Sequence, residues 1–118
     1  FAYNFETVLA EKLQTIISRG IASTRAKDYF DVYSIMIHHK DLIDYDVLLE
    51  AFEETMTHRN TLYSNERIVE ILDSIIKSQE MNELWNRYQT DYVFAKNLEF
   101  EKVFSKVREL TTRLIDNE

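Results

Sequence analysis

Four charged side chains stand where the hydrophobic pattern asks for core residues. Between residues 5 and 19, Val8, Leu9, Leu13, Ile16 and Ile17 recur at helical spacing. A turn of about 100° per residue puts Lys12 and Arg19 inside the same apolar arc, two turns apart. In the next segment the arc runs through Ile35, Asp28, Val32, Arg25, Met36, Tyr29 and Tyr33, which sets Asp28 and Arg25 among large apolar residues. Lys27, Asp31, Ser34 and His38 take the polar side of that segment. Burying an unpaired charge costs several kcal/mol, so Lys12, Arg19, Arg25 and Asp28 must pair with one another, be wetted by a cleft, or be met by a partner. A lysine in an apolar wall is a poorly screened cation suited to phosphate oxygens, and a carboxylate beside it can orient it or take a proton. The plainer reading is that Lys12 and Arg19 bury their stems and reach water with their tips, while Arg25 and Asp28 form an i, i+3 ion pair. Four such charges on two consecutive helices favour a site more than any one of them would.

Other arrangements carry less chemistry. His38 and His39 are adjacent and point about 100° apart on a helix, so they cannot chelate as an i, i+4 pair would; with the remote His58 they are expected at the surface or in the core. Asp41, Asp44 and Asp46 have the spacing of a calcium loop but lack its turn glycine and closing glutamate, and Asp44 reads as a helix cap. Trp85, Tyr88 and Tyr92 recur at helical spacing and are expected in the core rather than as a base-stacking platform. There is no cysteine, and no serine lies in a triad context, so no metal site or catalytic thiol is expected.

The elements that must position these residues are helical throughout. A first helix over about residues 5–19 ends at Gly20, where an αL cap belongs. A second starts near Ser23 or Thr24 and runs to about His38, a third follows Asp44, and a fourth begins at Ser64. A fifth covers about residues 78–92 and a sixth about 98–115. The sixth is a plain core helix, with Phe100, Val103, Phe104, Val107, Leu110, Thr111 and Leu114 in an arc free of charge. Connections of a few residues imply an all-α, compact bundle of five to six mostly antiparallel helices. Residues 91–97 are the place where a strand would hide.

At 118 residues the chain is read as one helical domain spanning 1–118. Its 45% apolar and 13% aromatic content supplies a core. With no proline and one glycine, Gly20, a self-contained Rossmann or P-loop site is excluded. No apolar run approaches a membrane span and no leader opens the chain, so a cytoplasmic protein is expected. The chain opens at Phe1 inside helical sequence and is expected to be a piece of something longer. The net charge of −7 is uneven: residues 1–40 balance to +1 and residues 41–118 to −8. Any nucleotide or nucleic acid must therefore be handled by the first forty residues.

Those forty residues contain Glu6-Thr-Val-Leu-Ala-Glu-Lys12-Leu, then Ser18-Arg19-Gly20, then Thr24-Arg25-Ala-Lys27-Asp28-Tyr-Phe-Asp31-Val-Tyr33. Together they resemble the C-terminal part of the AbiEii-like nucleotidyltransferases, the toxin component of type IV abortive-infection systems. The resemblance implies an N-terminal α/β half, outside these residues, whose Gly-Ser motif and Asp-x-Asp pair hold Mg²⁺ and the NTP. It implies transfer of a nucleotide to an RNA acceptor such as a tRNA end, in antiphage growth arrest controlled by an antitoxin. Lys12 matches the family's lysine and Asp28 the first aspartate of its Arg-x-Lys-Asp-x-x-Asp block, which implies a catalytic role for both. Arg19, Arg25 and Lys27 are then candidates for phosphate or RNA contacts, and Asp31 for support of a neighbouring group. On this reading the domain completes a cleft from one side and is inactive alone. The alternative is a non-enzymatic helical interaction module whose acidic residues after 41 dock a basic partner such as an antitoxin.

Overall fold

The computed structural model describes residues 4–23 and 25–116. They form six helices, α1 (Phe5–Arg19), α2 (Ala26–His38), α3 (Tyr45–His58), α4 (Asn65–Lys77), α5 (Gln79–Asp91) and α6 (Phe100–Ile115), with single 3-10 turns at Gly20–Ala22, Lys40–Leu42 and Val93–Ala95. The all-α expectation holds, and no strand occurs among the described residues.

Most helix starts follow from capping chemistry. Asn4 Oδ1 accepts the Thr7 N–H at 3.0 Å, Asp44 Oδ1 accepts those of Asp46 and Val47 at 3.0 and 3.2 Å, and the Ser64 and Ser78 hydroxyls accept from Arg67 and Met81. Helix α3 ends in a Schellman motif, with Asn60 at φ 56°, Thr61 N–H donating to Met56 O at 2.7 Å, and Asn60 N–H to Thr57 O at 3.0 Å.

Two local expectations, the cap at Gly20 and the start of α2, need correction, and at residues 91–97 the all-helical reading holds. Gly20 does have positive φ, but at φ 51° and ψ −132° it lies outside αL and turns the chain into the first 3-10 turn. Helix α2 is capped at Arg25, not Ser23: the Ser23 hydroxyl accepts the Arg25 N–H at 3.1 Å, and Arg25 contributes no side-chain cap. Thr24, the other candidate cap, lies outside the described residues. Residues 91–97 hold a 3-10 turn instead of a strand, because the Gln89 amide donates to the carbonyls of Ala95, Lys96 and Leu98 at 3.1, 3.2 and 2.7 Å. Those bonds fold the segment back over the end of α5, and α6 begins two residues later than its pattern suggests.

Helix α1 packs along α3 on one side and α2 on the other, and α2 in turn packs on α6 and α5. Leu9, Ala10 and Leu13 of α1, Tyr29 and Val32 of α2, and Val103 and Val107 of α6 are completely buried. Each large apolar side chain so buried contributes about 1.5–3 kcal/mol. The charge-free arc of α6 is buried throughout, Thr111 included.

One polar device crosses this core. Gln14 is buried on α1; its amide donates to Thr61 Oγ1 at 2.9 Å, and Arg59 Nη1 donates to its Oε1 at 2.8 Å. The bonds fix α1 against the α3–α4 connection, since leaving the buried Gln14 or Thr61 side chain unpaired would cost about 1–3 kcal/mol.

Backbone conformation generates the first prediction. Gly20→Ala is expected to destabilise by about 1–3 kcal/mol through φ strain alone, since a Cβ there would meet only Ile71 Cγ2 at an ordinary 3.5 Å. Asn60→Val, a β-branched residue at αL, is expected to cost about 1–2 kcal/mol. Urea denaturation midpoints measure both, and an unchanged midpoint for either would contradict the assigned turn geometry.

Candidate active site

The packing of α1 on α2 brings Lys12 to the carboxylates of α2. Its Nζ lies 3.1 Å from Asp28 Oδ1 and 3.0 Å from Asp31 Oδ2. Lys27 Nζ meets Asp31 Oδ2 at 2.6 Å across one turn, and Arg25 Nε lies 3.5 Å from Asp28 Oδ2. Five of the six candidate residues therefore form one cluster, with three cations against two carboxylates. In a chain of net charge −7 this is a local excess of positive charge.

Exposure grades the cluster from inside to outside. The Asp28 side chain is 3% exposed, Lys12 and Asp31 are each 20% exposed, and Arg25 and Lys27 are 53% and 64% exposed. Asp28 Oδ2 is buried without a hydrogen bond, its nearest cation being the Arg25 guanidinium. An open groove of about 350 Å³ exposes Lys12, Lys27 and Asp31, lined also by Phe5, Val8 and His39; neither Asp28 nor Arg25 lines it.

The electrostatics keep Lys12 charged. Burial disfavours its ammonium, but hydrogen bonds and Coulombic attraction from Asp31 and Asp28 outweigh that penalty, and its pKa is raised above the ordinary 10.5. Burial, followed by the charge of Asp28, raises the Tyr29 phenol. The Tyr88 phenol is pushed up to about 12 by burial, then by Asp31 and Tyr92.

Two sequence-level placements change. Arg25 is exposed, because the wheel assumed helix through a residue that lies before α2. Arg19 is exposed about 10 Å along α1 from Lys12, in a shallow groove with Gly20, Tyr63, Arg67 and Glu70. It does not join the cluster. Conversely, Asp31 is a direct partner of Lys12, and its position on the polar side of α2, facing solvent and Lys27, gave no sign of that bond. His39 was expected at the surface or in the core; it is exposed and stacks on Phe5 at 4.7 Å, forming one end of the groove.

No three His, Cys, Asp or Glu side chains among the described residues converge as a metal site. Both carboxylates of the cluster face cations, so these residues do not fit a Mg²⁺ site. A further groove of about 640 Å³ lies elsewhere between α1 and α3; Glu11, Glu53 and Glu54 line it against the single guanidinium of Arg59, an acidic balance that disfavours a triphosphate.

These shifts give a signed pH prediction. The folded protein holds the Lys12 and Tyr88 protons more tightly than the unfolded chain, so stability must fall as pH rises through the alkaline range. The contribution is complete below about pH 10, where both groups are protonated in either state, and is lost as pH approaches the Tyr88 value of about 12. Urea midpoints from about pH 8 to about pH 11 should decline, less steeply in Tyr88→Phe. A flat profile would refute the assigned burial.

No curated protein and no solved structure matches the chain significantly. The family model described as nucleotidyl transferase AbiEii toxin, type IV TA system, matches residues 1–106. The match runs through both helices that build the cluster and into α6, and the chain belongs to that family of nucleotidyl transferase toxins of type IV toxin–antitoxin systems.

Proposed function

We propose that this domain forms one wall of the active-site cleft of a nucleotidyltransferase that moves a nucleotide from an NTP to an RNA acceptor. The observation that carries the reading is the position of Lys12, a charged ammonium on the floor of an open groove, held there by a carboxylate that the groove does not reach. In the transfer, an acceptor hydroxyl gives up its proton to water, its oxygen bonds to the α-phosphorus, the bond to the bridging oxygen breaks, and pyrophosphate leaves. Negative charge grows on the phosphate oxygens, and a fixed cation in a partly dry wall stabilises it without reorganising. Lys12 takes that role, with the more exposed Lys27 as a second phosphate contact in the groove and Arg25, outside its lining, as a further cation beside Asp28.

Asp28 is a positioning residue on this reading, since its buried carboxylate aims Lys12 and lies behind the groove lining. Asp31 lines the groove and supports Lys12 and Lys27 together. The family's Gly-Ser and Asp-x-Asp half would hold Mg²⁺ and most of the nucleotide, facing this wall. Transfer onto RNA in the cytoplasm would arrest growth during phage infection, with an antitoxin as the opposing partner.

A second reading is favoured by the acidic α1–α3 groove, where Glu11, Glu53 and Glu54 surround His58 and Arg59. It fits a basic protein segment, and docking there is compatible with chemistry at Lys12. Reversal of Glu53 and Glu54 to lysine should abolish a salt-sensitive complex while leaving transfer intact.

Nucleotide incorporation by the full-length protein tests the main reading. Lys12→Ala is expected to lose at least about 100-fold in kcat/KM, Lys12→Arg to retain part of it, and Lys27→Ala mainly to raise KM. Asp28→Asn should lower kcat while Lys12 remains protonated. Transfer by Lys12→Ala within threefold of the parent, in a variant with an unchanged melting temperature, would overturn the assignment.

A further inference from the structure

Helix α2 borders a second groove, of about 420 Å³, on the other side of Ser34 from the cluster, and Ser34 lines both. Its wall is aromatic and aliphatic, including Phe30, Tyr33, Ile37 and Phe94, with His38 and Asn97 at the edge. No carboxylate lines it, although the chain carries a net charge of −7. Beside it the 3-10 turn after α5 presents Tyr92, Val93 and Phe94 at 46%, 85% and 57% exposure. Tyr92, expected in the core with Trp85 and Tyr88, is thus on the surface.

These rings are ordered from within. Trp85 is buried and stacks on Tyr88 at 5.3 Å, Tyr88 meets Tyr92 at 4.6 Å, Tyr92 meets Phe94 at 5.4 Å, and Phe94 meets Phe30 at 4.8 Å. The turn is pinned by the three carbonyl bonds from Gln89 and by Trp85 Nε1 donating to Leu98 O at 2.7 Å. The result is a fixed row of rings whose outermost members keep faces open to solvent. Exposed rings beside a lysine-bearing groove are the combination that binds single-stranded nucleic acid, with cations following phosphates and rings stacking on bases. A partner protein would be expected to meet charged groups around the apolar patch, and no acid lines this groove to select one.

We propose that Tyr92 and Phe94 form a stacking shelf for unpaired bases next to the reacting end of the RNA acceptor, with Lys27 on the connecting phosphates. This rests on the nucleotidyltransferase reading of the neighbouring groove. Because the shelf is open and offers mainly ring surface, with the Tyr92 hydroxyl as its one polar group, it selects single-stranded RNA over duplex without reading a particular base. Ser34 and Asn97, which make no side-chain hydrogen bond among the described residues, stand where base edges or ribose hydroxyls would pass.

Fluorescence anisotropy with the full-length protein and a labelled single-stranded RNA of about twelve nucleotides tests the shelf, alongside the same RNA with its 3′-terminal bases removed. Stacking is worth about 1–3 kcal/mol per base, so Tyr92→Ala with Phe94→Ala should weaken binding at least about tenfold. Phe94→Trp should bind as the parent does, and the abasic RNA should bind the parent and the double variant equally weakly. Equal binding of intact RNA by parent and double variant would overturn the proposal, as would equal binding of intact and abasic RNA by the parent. Self-association through Tyr92 and Phe94 without RNA binding would also overturn it, in favour of a protein-docking face. Failure of the catalytic reading shows separately: Lys12→Ala would then keep transfer while shelf-dependent RNA binding persisted.

Discussion

A carboxylate buried as deeply as that of Asp28 cannot remain charged at low cost unless a cation reaches it, and in this fold the cation comes from another helix. The Lys12–Asp28 contact therefore fixes the register of α1 against α2, and everything at the site follows from that register. Asp31, one turn further along α2, completes the hold on Lys12 and draws in Lys27. Shifting either helix by one residue would leave Asp28 facing apolar side chains and Lys12 facing water. Replacing the pair with well-packed apolar residues would relieve that constraint, whereas removing one partner alone would leave the other charge uncompensated.

The rest of the chain holds α1 and α2 in place. The Gln14 network ties α1 to the α3–α4 connection, the Glu6 carboxylate accepts the Asp44 N–H at 3.2 Å and joins the starts of α1 and α3, and α6 supplies the apolar floor beneath α2. Apolar burial holds both helices, α1 through Leu9 and Leu13 and α2 through Tyr29 and Val32, and the polar bonds add register. Of the acids behind the −8 balance of the later residues, Glu53 and Glu54 of α3 line a groove separate from that of the cluster. The cationic groove is thus a local exception on an acidic protein, and the electrostatic contrast directs an anion toward it.

Much of this was legible from residue types. The six helices, the Asp44 cap, the start of α4 at Ser64 and the core face of α6 follow from periodicity and capping alone, because both depend on neighbours three or four residues away. Lys12 and Asp28 stood out for the same reason, as charges in a pattern that excludes them. The pattern failed where the backbone left helical geometry. Arg25 was placed in the core by a wheel extended one residue too far, and residues 91–97 hold a short 3-10 turn shaped by one glutamine side chain rather than a continuous helix.

Partners across the fold follow a different logic. Nothing in the spacing of α2 distinguishes Asp31 from an ordinary exposed acid, and nothing in α5 shows that Tyr92 turns outward while Trp85 turns inward. Helical periodicity is a property of consecutive residues, so the chain alone specifies each helix and the face it must bury. Which charges share a groove depends on crossing positions and loop paths, and these are fixed by long-range packing and by side-chain bonds such as those of Gln14 and Gln89. Arg19 and Lys12 are equivalent on the wheel and about 10 Å apart along the helix axis, and packing against α2 rather than α4 made one of them the centre of the site.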